Sequence, residues 1–527
     1  MNLIDIAWEN IFLHLTIAAS EEGVTFYLSK SMQPALDARP ADSVVIEPDS
    51  ADGETRFKLN ICQMEGRAFL DNGDWAIYAE KDGAARRVAA DAGLPRQFAG
   101  LARIFPYAEG KTYSVWFSVD EKESNETALY PVLHSRFQMT DDDWKYRFKG
   151  AKGAALSTAR SAYSAYAKGR SKEGNLLFLS QTKDRISGNL AALDKRLKER
   201  GLDQKLHIQY YFHDEVSHRP GKAQLLKLAR LIAGQRWVVV DDFVPIFSYI
   251  DPPEGTQLIQ LWHAGVGFKS VGYSRFGKTG SPHPAESYHR KYAFANAPSE
   301  EAVDVYREVF GIEKEAFLTA GMPRLDGFTD SQRIESFREQ FFKDYPELQG
   351  RKLVLFAPTY RGAGQKDAYY DYSKIDQEVL AEALDGGAVL VKMHPFIKER
   401  FPVREGLEDC FYDFSDYPDI NALYYIADLL ITDYSSCYYE YALLGKPVLF
   451  YTYDRLAYQA LRGVHRDVAE NAPGRVCDTF AELLDAVRQK EYNYEKTEAF
   501  RKAHAAGLER NAADVIIDAI LNGGKHE

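Results

Sequence analysis

The sequence is poor in cysteine and lacks the short motifs that mark several large enzyme classes. Its four cysteines lie far apart without metal-ligand spacing, a distribution typical of reduced, buried thiols in a cytoplasmic protein. It contains no Walker loop, no zinc-binding pattern and no nucleophile elbow. These absences argue against chemistry that rests on those motifs, and we predict neither a metal ion nor a cofactor.

Long apolar runs are also missing. No uncharged apolar stretch reaches the roughly 18 residues that span a bilayer. The segment 1–19 is apolar, but it carries Asp5 and Glu9 and has no basic region. We therefore expect a first strand or a buried segment there, and not a signal peptide.

The chain has no excess of positive charge. Its formal net charge is -12, which argues against binding of duplex nucleic acid. Two local basic clusters remain, and solvated faces are the simpler interpretation of both. The alternative is contact with anionic lipid or an anionic polymer. The clusters are Arg160, Lys168, Arg170, Lys172, Lys183 and Arg185, and Lys195, Arg196, Lys198 and Arg200.

The 527 residues are too many for one core, and the sequence pattern changes along the chain. Residues 1–130 contain short runs of β-branched and aromatic residues between turn signals, which predicts an antiparallel β-sandwich. Residues 131–173, polar, basic and rich in Ala and Ser, predict a helical linker. Beyond them, apolar runs alternate with helical stretches, as in parallel doubly wound sheets. We predict Rossmann-like domains at 174–345 and 346–527, the second ending in an amphipathic helix.

The loop after the apolar run QLIQLWH carries the first candidate catalytic residue. Ligands of open α/β sheets bind at the carboxyl ends of strands, and His263 stands at such an end. A neutral imidazole suits the role of general base toward a hydroxyl. The small neighbours Ala264 and Gly265 let a substrate come close, and the glycines at Gly265 and Gly267 favour the functional interpretation. The alternative is a hydrogen-bonded core histidine, but the strand-end position favours the base. Lys269 closes the same loop.

Two strand ends of the second series carry groups that suit phosphate. His394 ends the run AVLVKMH and precedes a proline, and its imidazole can donate to a phosphate oxygen. Thr359 and Arg361 lie in APTYRG, where a hydroxyl and a planar guanidinium fork offer further donors. The alternatives are a structural turn at His394 and a surface position for Arg361.

A third strand end leads into the segment DYSS, which precedes an apparent helix start. Ser435 and Ser436 offer hydroxyls and backbone N–H groups to an anion, although plain N-capping would use the same residues. Asp433 opens the segment. Glu440, one turn further, can accept from a ribose or polyol hydroxyl or can be a surface helix residue. Together these loops could hold a diphosphate and remove a proton from a hydroxyl.

At this point the motifs resemble a known family. The chain is similar, from about residue 235 to 520, to the CDP-glycerol glycerophosphotransferases, which include the teichoic acid polymerases and primases. The matching segments follow the family's order. They are QLWHAGVGFK, HRKYAFANAPSE, AGMPRLD, VLFAPTYRG, VKMHP and DINALYYIADLLITDYSSCYYEYALLGKPVLFYTYD.

The resemblance implies an α/β fold with a GT-B-like pair of Rossmann domains and the active site between them. It implies transfer of a polyol phosphate from CDP-glycerol or CDP-ribitol to a hydroxyl of a lipid-linked acceptor, with release of CMP. His263 matches the family's catalytic base, and Lys269 falls on the acceptor side. The positions that match the family's donor site are Thr359, Arg361, His394, Ser435 and Ser436. Asp433 and Glu440 lie in the same motif as the two serines, and the resemblance also gives His394 a catalytic role.

Further expectations follow from the same resemblance. The loop reads Trp-His-Ala-Gly-Val-Gly-Phe-Lys, which is similar to the ribitol-phosphate branch, where glycerol-phosphate members commonly read Trp-His-Gly-Thr-Pro-Leu-Lys. Such enzymes are cytoplasmic and peripheral on the inner membrane face, and oligomers are possible. Two alternatives stay open, a nucleotide-sugar glycosyltransferase of the same fold and a non-catalytic polymer-binding protein.

Overall fold

The structure is a computed structural model, and its described part covers most of the chain. It describes residues 1–18, 23–50, 53–64, 68–108, 111–120, 122–124, 128–137, 150–167, 173–215, 220–277, 288–362, 365–508 and 510–522. Lys168, Arg170 and Lys172 of the first basic cluster lie outside these residues.

The chain forms two compact units that interleave along the sequence. The first comprises Met1–Ser161, Val271–Lys291 and Tyr306–Glu313. The second comprises Ala162–Ser270, Tyr292–Val305 and Lys314–Glu527.

The first unit is built from two largely antiparallel sheets. Alternation of buried and exposed residues explains its strands: in Glu54–Asn60 the side chains of Thr55, Phe57 and Leu59 are buried and their neighbours are not. One sheet has the order β6-β2-β1-β9, and the other has the order β10-β11-β12-β7-β3-β5 with β4 and β8 attached. The strands are β1 Asn2–Glu9, β2 Phe12–Ala18, β3 Thr25–Ser29, β4 Ala35–Leu36, β5 Val44–Ile46, β6 Glu54–Asn60, β7 Gly73–Lys81, β8 Ala84–Arg87, β9 Ala89–Ala90, β10 Arg103–Ala108, β11 Lys111–Val119 and β12 Pro131–Phe137.

The first unit extends past the boundary predicted at residue 130. Strand β12 pairs with β11 and β7, so the predicted linker begins with a strand of the sheet. Tyr273 and Phe276, from far along the chain, belong to the same apolar core. Phe276 packs 4.9 Å from Phe69 and 5.6 Å from Phe105, measured between ring centroids.

The second unit contains two parallel sheets of six strands each. The first parallel sheet has the order β14-β13-β15-β16-β17-β18 and the second has the order β21-β20-β19-β22-β23-β24. Several strands are buried along their whole length, as expected for strands covered on both faces. The strands are β13 Asn175–Ser180, β14 His207–Phe212, β15 Trp237–Val240, β16 Gln257–Gln260, β17 Phe294–Ala297, β18 Phe317–Thr319, β19 Leu353–Phe356, β20 Ala388–Val391, β21 Phe411–Asp413, β22 Leu429–Thr432, β23 Val448–Tyr451 and β24 Arg475–Cys477.

Helices connect the strands, and side-chain caps begin several of them. Thr479, for example, accepts from the backbone N–H of Glu482 while Glu482 reaches back, a capping box. The described helices are α1 Gly150–Ala167, α2 Gly188–Glu199, α3 Lys222–Ala233, α4 Glu301–Phe310, α5 Ser331–Asp344, α6 Gln377–Leu384, α7 Ile420–Ile426, α8 Cys437–Leu443, α9 Arg455–Arg462, α10 Val468–Asn471, α11 Phe480–Gln489, α12 Tyr494–His504 and α13 Ala512–Leu521.

The C-terminal helix α13 packs on the first parallel sheet, and not on the second as its place in the sequence suggested. Ile516, Ile517 and Ile520 lie in one apolar core with Leu176 and Leu190. Arg196 Nη2 lies 2.6 Å from Asp514 Oδ2, and Arg200 pairs with Asp514 and Asp518. Carboxylates of α13 therefore balance part of the second basic cluster.

No helix among the described residues combines the length and the apolarity that are needed to cross a bilayer.

Candidate functional site

The predicted site residues follow the carboxyl ends of parallel strands at or beside the point where the strand order of each sheet reverses. In the first parallel sheet the order reverses between β13 and β15, and in the second between β19 and β22. His263 lies just beyond β16, Thr359 beyond β19 and Asp433 beyond β22. Doubly wound sheets bind ligands at such switch points, so the topology brings these residues to two ligand-binding edges.

His263 is held in one tautomer by a backbone carbonyl. Its Nδ1 lies 3.0 Å from the carbonyl oxygen of Asp241, and a carbonyl can only accept, so Nδ1 carries the proton. In the neutral ring Nε2 is then an acceptor. The side chain is 45% exposed, and Nε2 is the ring nitrogen that could accept a proton from a hydroxyl, as a general base requires.

The residue before His263 adopts an uncommon backbone conformation. Trp262 has a φ of 53°, in the left-handed region that bulky residues avoid. Two buried amides hold it there: the Trp262 N–H donates to Gln260 Oε1 over 2.8 Å, and Asn189 Nδ2 donates to the Trp262 carbonyl over 2.6 Å. In this conformation the Trp262 side chain is buried, while the imidazole of His263 is partly exposed.

The His263 loop packs directly on helix α8. The Tyr438 hydroxyl donates to the Val266 carbonyl, and the rings of Tyr438 and Phe268 stack with centroids 4.8 Å apart. A Cβ built on Gly265 would lie 2.0 Å from Cγ of Tyr439. Only glycine fits this approach, which ties the edges of the two parallel sheets together. The space beside Gly265 is thus filled by the Tyr439 ring and is not left for a substrate, which corrects the expectation from the sequence.

Substitution of Gly265 by alanine should destabilise this junction. The new methyl group must displace the buried Tyr439 ring or the loop, and overpacking of this kind costs about 1–3 kcal/mol. We expect a lower urea midpoint and a turnover reduced at least about tenfold, because the loop carries His263. Gly221→Ala is the matched control, since nothing lies within 4 Å of a Cβ at that position. Equal behaviour of the two variants would contradict the close packing described above.

Lys269 closes the loop and contacts the second parallel sheet. Its Nζ donates to Thr359 Oγ1 over 2.6 Å, so the structure places its ammonium beside a predicted donor residue. Burial lowers the pKa of Lys269 to about 8; Asp433 opposes this shift, while Arg462 and Arg361 add to it. At neutral pH the lysine is therefore a partly dehydrated cation, a strong partner for an anion.

His394 takes the tautomer opposite to that of His263. The backbone N–H of Phe396 donates to its Nδ1 over 3.2 Å, which leaves the proton on Nε2. Burial lowers the pKa of His394 to about 4, and the nearby charges of Lys269 and Arg462 lower it further. At neutral pH His394 is an uncharged N–H donor, suited to a phosphate oxygen.

Arg361 is buried in an ion-pair network. Its Nε and Nη2 donate to the carboxylate of Asp454 over 2.6 and 2.9 Å, and its Nη1 donates to Asp433 over 2.7 Å and to the Thr359 carbonyl. These bonds use four of the five guanidinium N–H groups. The arrangement fixes the strand ends of the second parallel sheet, and phosphate binding by Arg361 stays a prediction.

Aromatic rings enclose the same guanidinium. Burial alone would lower the pKa of Arg361, but Asp433 and Asp454 raise it above its usual range. The arginine therefore stays charged, and its charge is stabilised by ring faces as well as by carboxylates. Ring centroids lie 5.2–5.5 Å from its Cζ in Tyr370, Tyr434, Tyr453 and Tyr458.

In the DYSS segment Asp433 is buried, whereas the two serines are accessible. Asp433 is 1% exposed and accepts the Thr359 N–H over 2.8 Å. Ser435 and Ser436 are partly exposed, and in the described structure the Ser436 side chain makes no capping hydrogen bond. The hydroxyl of Ser436 is thus available to a ligand, whereas Asp433 is committed to Arg361 and Thr359.

Glu440 is a buried partner of an arginine and not a surface helix residue. It is 4% exposed, and Arg324 Nη2 donates to its Oε1 and, over 3.1 Å, to the His263 carbonyl. Arg324 therefore joins helix α8 to the backbone of the candidate base.

Sequence reasoning missed several residues of this site. Arg324 lies within the quoted segment AGMPRLD without having been assigned a role. Asp241 and Asp242 follow β15 directly, and an acidic pair at a strand end was the available signal. Arg462 donates to the Tyr360 hydroxyl over 2.7 Å and completes the positive surroundings of His394. Among the described residues, no group of three or more His, Cys, Asp or Glu side chains could hold a metal ion.

The comparison with protein families decides the assignment. The profile described as CDP-Glycerol:Poly(glycerophosphate) glycerophosphotransferase matches residues 162–522, more than half of the chain. The chain belongs to this family. The match covers His263, Lys269, His394 and the DYSS segment, and it leaves most of the first unit outside.

Characterised members of the CDP-glycerol glycerophosphotransferase family align with the same region. The chain is 35% identical over 336 residues to the teichoic acid ribitol-phosphate polymerase TarL of Staphylococcus aureus, covering 63% of this chain and 60% of that protein. It is 32% identical over 351 residues to the teichoic acid poly(ribitol-phosphate) polymerase of Bacillus spizizenii, covering 66% and 56%. The chain thus spans about 60% of the length of these relatives.

The fold is shared with a solved member of the family. The structure of the wall teichoic acid polymerase TagF superposes with a TM-score of 0.55 at 21% identity, covering 73% of this chain and 98% of that one. This similarity supports the mixed α/β fold with parallel sheets that the sequence predicted.

Proposed function

We propose that this chain transfers a polyol phosphate from a CDP-polyol to a hydroxyl of a lipid-linked acceptor or growing chain and releases CMP. The observation that carries the proposal is the opposite tautomeric state of His263 and His394 at the ligand-binding edges of two joined sheets. One ring offers a base to a hydroxyl, and the other offers an N–H to a phosphate. Membership of the family supports the same reaction.

The proposed step needs a proton acceptor and stabilisation of phosphate charge. The acceptor oxygen attacks the phosphorus that bears the polyol, and His263 Nε2 takes the hydroxyl proton. The bond between this phosphorus and the bridging oxygen breaks, and CMP leaves with the electron pair. Lys269, the Nε2–H of His394 and the Ser436 hydroxyl stabilise the negative charge on the transferred phosphate and on CMP.

The finer features of the architecture belong to the same proposal. We assign the two parallel sheets to a GT-B-like pair with the active site between them, and the sheets of the first unit to a sandwich. We also propose a peripheral location on the inner face of the cell membrane, where a lipid-linked acceptor would be reached.

Ribitol is the polyol that the relatives favour. The proteins that match at 35% and 32% identity are named ribitol-phosphate polymerases, whereas crystals of TagF were soaked with CDPG. The loop sequence of this chain points the same way. We therefore expect CDP-ribitol to be the better donor.

A donor panel tests the proposal. Purified protein is incubated with CDP-ribitol, CDP-glycerol or a set of UDP-sugars and with a lipid-linked acceptor analogue, and released nucleotide is quantified. We expect acceptor-dependent CMP from a CDP-polyol. Consumption of a UDP-sugar alone would replace the proposal with a glycosyltransferase. Binding of polymer without release from any donor would favour a non-catalytic protein.

The pKa of Lys269 predicts a pH dependence of donor binding. Above about pH 8 the lysine loses its proton and its attraction for the diphosphate. The KM for the donor should therefore rise roughly tenfold between pH 7 and pH 9.5, since a hydrogen bond from a charged group contributes about 1.5–3 kcal/mol. Steady-state kinetics across this range measure the effect. Lys269→Gln should have a high KM at every pH, and a rise that persists in Lys269→Gln would assign the effect to another group.

A further inference from the structure

Two groups of the segment that follows β15 lie beside Nδ1 of His263. The Asp241 carbonyl accepts from Nδ1, and the Oδ1 atom of Asp242 lies 3.6 Å from the same nitrogen. The position of the Asp242 carboxylate is fixed, because Oδ1 accepts the N–H of Phe243 over 2.7 Å and Oδ2 accepts the Thr182 hydroxyl over 2.9 Å. A carboxylate is thus held beside the ring nitrogen that does not face the substrate.

Two ion pairs of the described residues lie close to His263. The Asp241 carboxylate is 1% exposed and accepts two bonds from Lys183 Nζ, at 3.0 and 2.9 Å. Burial raises the pKa of Asp241, and this ion pair opposes the rise. From the opposite side, the cation at the His263 carbonyl is Arg324, which is paired with Glu440.

Both carboxylates of the segment act on the ring, because His263 is among the charges that lower the pKa of Asp241. Lys183 compensates Asp241, whereas the hydrogen-bond donors to the Asp242 carboxylate are neutral, so Asp242 carries the less compensated charge of the two. A negative charge at this distance favours the imidazolium over the neutral ring. It therefore supports the protonated state that a general base must reach during the reaction.

We infer that Asp242 is a positioning residue whose charge strengthens His263 as a base for the polyol-phosphate acceptor hydroxyl. The inference rests on the proposed function for the identity of the reaction. Its physical content, a carboxylate that stabilises the protonated ring of His263, does not depend on the substrate.

The kinetic test compares Asp242→Asn with the parent protein. The amide keeps the size and an acceptor oxygen but removes the charge. We expect kcat/KM to fall roughly tenfold, and the acid limb of its pH profile to move to lower pH. Asp242→Glu, which restores the charge, should recover part of both effects. Asp203→Asn, at an exposed position after α2, is the matched control. A lower rate with an unmoved acid limb would overturn the inference and leave a merely structural role.

A second measurement separates this inference from the proposed function. Protein labelled with ¹³C at histidine Cε1 is titrated by NMR, and the signal of His263 is assigned by its loss in His263→Asn. The midpoint of this signal should move to lower pH in Asp242→Asn. An unmoved midpoint overturns the inference even if CMP is released. If no donor yields CMP but the midpoint moves, the proposed function fails, and the stabilisation of the protonated ring by Asp242 stands.

Discussion

Replacement of His263 by alanine should lower the turnover number roughly 1000-fold, within the range that general bases contribute. The imidazole is 45% exposed, and a backbone carbonyl fixes it on its Nδ1 side. No neighbouring group in the described loop, Leu261–Lys269, can replace it as an acceptor of a hydroxyl proton near neutral pH. Lys269 is mostly protonated there, and the remaining side chains are apolar or absent.

The measurement is kcat from CMP release at saturating donor. Because the His263 side chain is partly exposed, we expect the thermal midpoint to change little. His207→Ala is the matched control, since His207 is exposed on edge strand β14 of the same sheet. A loss smaller than about tenfold in His263→Ala would remove this residue from the chemical step.

Replacement of Arg361 by methionine should lower the free energy of unfolding by roughly 3–5 kcal/mol, because it leaves buried carboxylates without their cation. Asp433 is 1% exposed, and the Arg361 side chain is 7% exposed. Methionine fills much of the same volume, so the loss of stability reflects the missing charge and hydrogen bonds more than the formation of a cavity.

Urea unfolding followed by tryptophan fluorescence measures this effect. Arg404→Met is the matched control, because Arg404 and Glu378 form an ion pair with both side chains about 60% exposed, and such pairs contribute little. Asp433→Asn keeps an acceptor for the Thr359 N–H. The double variant Arg361→Met/Asp433→Asn should therefore be less destabilised than the sum of the single variants. Strict additivity would contradict the coupling seen in the structure.

The acid and alkaline limbs of the predicted pH profile depend on different groups. The pKa of His394 is lowered to about 4, so this residue keeps one charge state across the range in which the enzyme would be assayed. The pKa of Lys269 is about 8, which places its effect on the alkaline side. A change of the acid limb in Asp242→Asn is then not confounded by either group.

The sequence predicts the parallel sheets well because their strands are local patterns. The apolar run Asn175–Ser180 is strand β13 as predicted, and the second series of runs contains β19, β20, β22 and β23. Strand ends also locate His263, Thr359, His394 and Asp433, because the polar residues after a buried strand are visible in the sequence itself.

Pairings across the fold could not be predicted in this way. Asp454 is 93 residues from Arg361, and Glu440 is 116 residues from Arg324, so nothing local distinguishes these charges from solvated ones. Helix α13 joins the first parallel sheet after the chain has completed the second, which an amphipathic pattern alone does not specify. The apolar residues Tyr273 and Phe276 likewise reveal their unit only through tertiary packing.

The network of Arg361, Asp433 and Asp454 also limits how this site can change over generations. Loss of the arginine by one mutation leaves buried carboxylates without a cation, and loss of Asp433 removes the main buried counter-ion of the guanidinium. Each single mutation is thus disfavoured, even where three uncharged residues of similar volume at these positions would fold well. Descendants of this chain should inherit the three residues as a block or exchange them together.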